Sequence, residues 1–315
     1  MITDVPGIRV GHASDLAALT GCTVVVCDAP AVCAVERRGR ANDVVGLDHL
    51  DPNHLAPAVN AVVLSGGSRF GEATVSGVMR YLEEHGVGMS FGGYLIPHVA
   101  GAFLFDLGVG DGRVRPSAEM GYEAAARATA EAPAQGNVGA GTGATVGKLC
   151  GIARAMRGGI GSASVRCGRA VVGALVAVNA VGDVRDPATG RLIAGTRDSA
   201  DGRTLIDTAA ALASGVPPPA FRPVNTTIGV VATSAALGKA DCARVAQLAM
   251  EGFGRALSPP HLPADGDTLF CLSVGEGRGD GTAVGLAAAE AVTQAIVNGV
   301  RAATGLPGLP AARDL

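Results

Sequence analysis

The chain has 315 residues, 47 of them Gly and none Trp, with 3 Tyr and 7 Phe, so 48% of it is hydrophobic but only 3% aromatic. Recurring Val, Ile, Leu and Ala, 17% charged residues and a mean hydropathy of +0.34 exclude a disordered chain, and glycine without a three-residue period excludes collagen. The formal charge of -3, from 25 Lys and Arg against 28 Asp and Glu, comes without the basic stripe that a phosphate backbone requires, so nucleic acid is not an expected partner.

In chain order, short β-branched runs at 23–26, 61–64, 170–178, 227–233 and 268–273 predict buried strands. Ala-rich stretches with apolar residues at helical spacing predict helices over 72–85, 117–131, 202–214, 239–257 and 282–304. The order mixes α and β without strict alternation. Residues 1–12 have neither a basic start nor a long apolar run, so they do not read as a signal peptide. Nor does any uninterrupted apolar stretch approach the ~20 residues of a membrane span. The seven cysteines form no CxxC pair and read as free thiols of a reducing compartment. A cytoplasmic protein without membrane contact is expected.

The glycine-rich run from Gly136 to Gly147, followed by Lys148, fails the P-loop pattern because Leu149 stands where a metal-binding hydroxyl belongs. It also fails the dinucleotide fingerprint, since no strand precedes it and no helix with an acidic residue follows. Glycines there, at 65–71 and at 158–161 are expected to let main-chain N–H groups line a pocket, with Lys148 adding one positive charge. Ser65-Gly-Gly-Ser68 reads equally as an anion site before a helix or as a tight turn. None of the six His falls in HxH, HExxH or a zinc spacing, and GxSxG does not occur, so neither a metal hydrolase nor a serine-hydrolase elbow is supported and no cofactor is expected.

Two further features remain. Four prolines between 217 and 223 make 214–225 a loop or linker. It ends abruptly at Asn225, and a strand-like run opens with Thr226. Asp265-Gly-Asp267 places two carboxylates one residue apart just before the strand at 268. Taken alone, the first reads as an ordinary loop-to-strand junction and the second as a solvated turn.

Together, these segments resemble the self-processing aminopeptidases that include the L-aminopeptidase/D-esterase, the β-peptidyl aminopeptidases and the nylon-oligomer hydrolases. The likeness runs nearly end to end: Thr3-Asp-Val-Pro-Gly-Ile-Arg-Val-Gly-His12, Thr20-Gly-Cys-Thr-Val24, Leu64-Ser-Gly-Gly-Ser68, Phe70-Gly71, Ile96-Pro97, Phe105-Asp-Leu107, residues 137–147, and Asn225-Thr-Thr-Ile-Gly-Val-Val-Ala-Thr233. It implies an α+β fold, the four-layer α-β-β-α sandwich of N-terminal-nucleophile hydrolases, in one domain (1–315). It also implies self-cleavage between Asn225 and Thr226 into an α chain (1–225) and a β chain (226–315), with Thr226 the new N-terminal nucleophile. The Asn-Thr junction and the acidic pair are similar to the nylon-oligomer hydrolase branch. By that resemblance Asp265 and Asp267 orient the nucleophile, Lys148 tunes its amine and Asn179 binds the oxyanion. An N-terminal Thr carries its own base, because an unperturbed α-amine titrates at about pH 7.7 to 8.0.

The expected substrate is a small amide, either a peptide or an ω-amino-acid oligomer. The expected assembly is a homo-oligomer of αβ units, tetrameric or larger. An acyltransferase of the ornithine acetyltransferase type and a non-catalytic anion- or ligand-binding protein are the alternatives.

Overall fold

The computed structural model describes residues 1–217 and 225–315; most of the proline-rich loop expected at 214–225 therefore lies outside the described residues. Eight strands carry the architecture: Ile8–Asp15 (β1), Thr20–Arg37 (β2), Val59–Ser65 (β3), Val99–Phe103 (β4), Gly159–Cys167 (β5), Ala170–Val178 (β6), Ile228–Ala236 (β7) and Thr268–Arg278 (β8). Strand β2 is 18 residues long and runs through one continuous nine-stranded sheet, whose two parts pack face to face as two sheets. Its first half pairs antiparallel with β1 (Val24 opposite Gly11) and with β3 (Val24 opposite Val63), and its second half pairs antiparallel with β8 (Ala34 opposite Cys271). Between the halves Asp28, Ala29 and Pro30 are exposed and the β3 register shifts. Pro30 donates no ladder hydrogen bond, so a strand can leave one sheet there and enter another.

The first sheet continues with β4, parallel to β3. The second runs β5-β6-β7-β8-β2, with β7 and β8 parallel (Val230 opposite Phe270). Alternation of side chains along each strand gives each sheet two apolar faces. Val25, Val62, Leu64 and Ala102 of the first sheet meet Leu175, Ala177, Val230 and Phe270 of the second to form the central core.

Five helices cover the outer faces: Ala73–Glu84 (α1), Ala118–Ala126 (α2), Lys239–Ala249 (α3), Glu251–Ala256 (α4) and Gly281–Ala302 (α5). Val78, Leu82 and Ala124 pack on Val24 and Val63 of the first sheet, whereas Val245, Phe253, Val292 and Ile296 pack on Val172, Val176 and Val231 of the second. The result is the expected α-β-β-α layering. Helix α5 is long and apolar, but its most apolar window is 67% buried, as a core helix's would be.

Several expectations need correction. The helix expected over 202–214 shrinks to Thr208–Ala213, because Asp207 caps it by accepting from Ala210 N, while Leu205–Ile206 pairs with Thr196–Arg197. The helix expected to reach 131 stops at Ala126, where Thr129 bridges to Val10 of β1 instead. The helix expected over 239–257 is divided into α3 and α4 around Met250. Gly159 and Gly161, expected at a pocket, open β5 against helix α5: a Cβ on Gly161 would lie 2.2 Å from Ala295 O and from Gly299 N. They let helix and strand backbones touch.

Candidate active site

The ends of β6, β7 and β8 converge on residues 225–227, all three of them buried. Asn225 bridges to Asp265 ahead of the parallel β7/β8 ladder. On that side the Gly266 amide donates to Asn225 O (3.1 Å), Thr268 N to Thr227 O (3.0 Å), and Thr227 N to Asp267 Oδ1 (2.8 Å). On the other side Thr226 N donates to Asn179 O, one residue beyond β6, at 2.9 Å. The residue that would be the nucleophile is thus held by its own N–H on one side and, on the other, through its neighbours Asn225 and Thr227. Its hydroxyl donates to Asn225 O at 2.5 Å, so it lies beside the carbonyl it would attack. That carbonyl oxygen already holds the Gly266 N–H, a donor placed where negative charge would grow during attack.

The acidic pair divides its tasks. Asp267 has both carboxylate oxygens engaged: Oδ1 with Thr227 N, and Oδ2 with the Nδ1 (2.8 Å) and backbone N (3.2 Å) of His261. Asp265 ties Oδ2 into its own turn by accepting from Leu262 N (2.8 Å), while its buried Oδ1 has no hydrogen-bond partner among the described residues. The solvated turn that this segment resembles in isolation is therefore an enclosed loop, with Asp265 and Asp267 each about 1% exposed. The end of β2 holds it there. Arg38 N donates to Asp267 O, Arg40 N and Ala41 N donate to Asp265 O, and Asn42 Nδ2 donates to Asp267 O.

Lys148 enters from the glycine-rich segment. Gly147 N and Lys148 N pair with Gly182 O and Val181 O, so the segment runs beside the chain that leaves β6. Gly147 has φ +71° and a Cβ there would fall 1.9 Å from Gly195 C, so no other residue fits. The Lys148 ammonium donates to Asn179 Oδ1 (2.8 Å) and to Asn179 O (3.1 Å), the same backbone oxygen that Thr226 N uses. Donation from Lys148 Nζ and from Thr145 N (3.0 Å) fixes the Asn179 amide with its oxygen toward them and its Nδ2 toward Phe105 O (3.0 Å). Asn179 thereby places Lys148 and the future amine side by side.

Burial sets the electrostatics. It pushes Lys148 down from the usual lysine range to about 7, against the opposing charges of Asp265 and Asp267. It pushes Asp265 up to about 7, helped by the charge of Asp267 and opposed by the Leu262 N–H and Lys148. A buried acid and a buried amine that both change protonation near neutrality are suited to proton transfer at pH 7.

All five residues expected to share a site, Lys148, Asn179, Thr226, Asp265 and Asp267, meet here. The Ser65-Gly-Gly-Ser68 turn does not contribute an anion site: Gly67 N donates to Asp106 Oδ1 (2.7 Å), Thr20 Oγ1 to Asp106 Oδ2 (2.7 Å), and Ser68 Oγ to Asp43 Oδ2 (2.9 Å). The chain's own carboxylates take those donors. Sequence reasoning misses His261, Gly266 and the 38–42 segment. Gly266 carries a signal, since a glycine between two site carboxylates implies close backbone approach, whereas a lone His in a Pro-rich stretch carries none.

The sequence pattern described as peptidase family S58 matches residues 1–312. An uncharacterized aminopeptidase of Mycobacterium tuberculosis is 41% identical over 344 aligned positions, covering 100% of this chain and 97% of the relative. A 6-aminohexanoate-oligomer endohydrolase of Kocuria sp. is 30% identical over 318 positions, covering 95% and 85%. Among solved structures, the L-aminopeptidase D-Ala-esterase/amidase of Ochrobactrum anthropi, described as a variant of the Ntn hydrolase fold, superposes with a TM-score of 0.74 at 19% identity, covering 99% of this chain and 90% of that one. A β-aminopeptidase of Burkholderia sp. gives 0.69 at 24%, covering 97% and 87%. These structures share the layered fold, and the sequence matches run from one end of the chain to the other. The chain belongs to peptidase family S58 and is a hydrolase with an N-terminal-nucleophile type of fold.

Proposed function

We propose that this chain cuts itself between Asn225 and Thr226 and then hydrolyses small amides through an acyl-ester on Thr226. The observation that carries the reading is the placement of the Thr226 hydroxyl 2.5 Å from the Asn225 carbonyl oxygen, which also accepts the Gly266 N–H. In the uncut chain, Thr226 Oγ attacks the Asn225 carbonyl carbon while the Asp265 carboxylate receives the hydroxyl proton. The Gly266 amide stabilises the oxyanion, the C–N bond breaks, and the nitrogen of Thr226 takes up a proton. Water then hydrolyses the ester, leaving an α chain of residues 1–225 and a β chain of 226–315.

The freed amine of Thr226 stays beside Asn179 O and Lys148 Nζ. The nearby ammonium disfavours a second positive charge, so the amine is kept available as a base for its own hydroxyl. In turnover Asn179 Nδ2 donates to the substrate oxyanion, a contact whose loss typically costs about 2.7 to 4 kcal/mol. Asp267 holds the backbone at Thr227. The substrates are peptides with a free amino end or ω-amino-acid oligomers; the name of the Kocuria relative and the Asn225-Thr226 junction favour the second. The enzyme acts in the cytoplasm, in keeping with its seven free thiols, and assembles as a homo-oligomer of αβ units.

Intact mass of freshly made protein, beside Thr226→Ala and Thr226→Ser, tests the reading. Two fragments from the wild type, the smaller beginning at Thr226, and one 31.1 kDa chain from Thr226→Ala are expected, with Thr226→Ser still cutting. An uncut wild type overturns self-cleavage. Release of free amine from 6-aminohexanoate oligomers or β-alanyl peptides supports hydrolysis, whereas acyl exchange with ornithine in place of hydrolysis identifies a transferase.

A further inference from the structure

We propose that His261 is a positioning residue for this chemistry: its imidazole holds Asp267, and through Asp267 the stretch of backbone on which Thr226 is mounted. The inference rests on Thr226 being the nucleophile.

Three observations support it. First, one carboxylate joins the two parts: Asp267 Oδ2 accepts from His261 Nδ1 at 2.8 Å, and Asp267 Oδ1 accepts from Thr227 N at 2.8 Å. Both Asp267 oxygens already accept backbone N–H donors, and an oxygen in that accepting role pairs with a hydrogen on Nδ1. Second, the ring is held on its other side by packing. It lies 5.5 Å from the Phe253 ring of α4, tilted by 31°, and its buried Nε2 meets no partner among the described residues. Directed packing of this kind leaves the imidazole one polar task, the bond to Asp267. Third, His261 has φ +57°, a left-handed conformation that L residues adopt at a cost of roughly 1–2 kcal/mol. Strain of this sort persists where the surroundings fix the residue, and it clusters at functional sites.

Without the imidazole, Asp267 keeps only the longer 3.2 Å bond from the His261 backbone on that oxygen. The carboxylate is then free to turn, and Thr227 loses the acceptor that sets its height against β8. Displacement of the reacting groups by about 1 Å costs on the order of 100-fold in rate.

The test uses full-length protein with substitutions chosen to separate backbone from side chain. His261→Gly accepts φ +57° without strain but has no donor. His261→Asn places an amide Nδ2 near the position of the imidazole Nδ1 and is among the residues that tolerate the left-handed region. For His261→Gly, self-cleavage and kcat for 6-aminohexanoate oligomers are expected to fall about 10- to 100-fold with KM changed less than about threefold, since the proposed role of His261 runs through Asp267. His261→Asn is expected to recover to within about fivefold of wild type.

Wild-type rates in His261→Gly overturn the proposal, as does a rise in KM at constant kcat, or a folded His261→Asn as slow as His261→Gly. A long-range 1H–15N spectrum of wild-type protein carrying 15N-histidine gives a test independent of variant folding: a hydrogen on Nδ1 of His261 is required, and its absence overturns the proposal. A wild type that neither cuts itself nor hydrolyses amides instead removes the Thr226 reading on which the proposal stands.

Discussion

Replacing Gly266 with Ala tests how closely the catalytic geometry depends on one backbone contact. A Cβ at 266 would lie 2.2 Å from Ala41 O, 2.6 Å from Ala41 C and 2.9 Å from Asn42 N. All three are main-chain atoms, so no rotamer change relieves the clash, and the 38–42 segment is itself tied to the carbonyls of Asp265 and Asp267. Restoring an ordinary contact requires a shift of about 1.2 to 1.8 Å between loop and strand end. Moved that far, the 3.1 Å bond from Gly266 N to Asn225 O passes beyond hydrogen-bond range.

Loss of one oxyanion donor costs about 100- to 1,000-fold in rate, so self-cleavage should slow by at least about 100-fold. Overpacking costs about 1–3 kcal/mol. At ~2.1 cal/mol/K of unfolding entropy per residue, a chain of 315 residues loses roughly 1.5 °C of melting temperature per kcal/mol, which leaves the protein folded at 25 °C. The assay is the fraction of uncut chain against time by intact mass, with a thermal melt to establish folding. Gly254→Ala is the control: a Cβ there meets nothing within 4 Å, and α4 accommodates alanine. A folded Gly266→Ala that cuts itself within about threefold of wild type would refute the reasoning.

Two other outcomes are expected. The charge of Lys148 lowers the pKa of Asp265, which lies at about 7, so Lys148→Met should move the rising limb of the self-cleavage pH profile from near pH 7 to higher pH; a limb that stays or moves down contradicts the electrostatic picture. In native protein at pH 8 a thiol reagent should modify exposed Cys150 first and half-buried Cys167 more slowly. Buried Cys22 and Cys27, both pushed up to about 12 by burial, and Cys33, Cys242 and Cys271 should react only after denaturation, and a third fast thiol in the folded protein would contradict the packing.

Much of the fold is legible in the sequence, since strands such as Ala170–Val178 and the first part of Thr268–Arg278, expected over 268–273, show in the sequence as apolar runs and helix α5 as an apolar period. The helix expected over 202–214 comes out too long because helical spacing says nothing of Leu205–Ile206 finding a strand partner at Thr196–Arg197. At Gly159 and Gly161 close backbone approach is readable from composition, but that helix α5 is an approaching partner is not.

At the site, sequence alone singles out Lys148, Asn179, Thr226, Asp265 and Asp267 through short segments and their resemblance to a family. Tertiary structure decides what each touches. Asp267 bridges His261 and Thr227, Asp265 keeps one oxygen unpartnered among the described residues, and Asn179 uses its backbone oxygen to bring Lys148 beside Thr226 N. Local propensities and side-chain periodicity act over a few residues, so they are written along the chain. Hydrogen-bond partners drawn from residues 38–42, 147–148, 179, 225–227 and 261–267 follow from strand register and burial, which exist only once β6, β7 and β8 lie side by side.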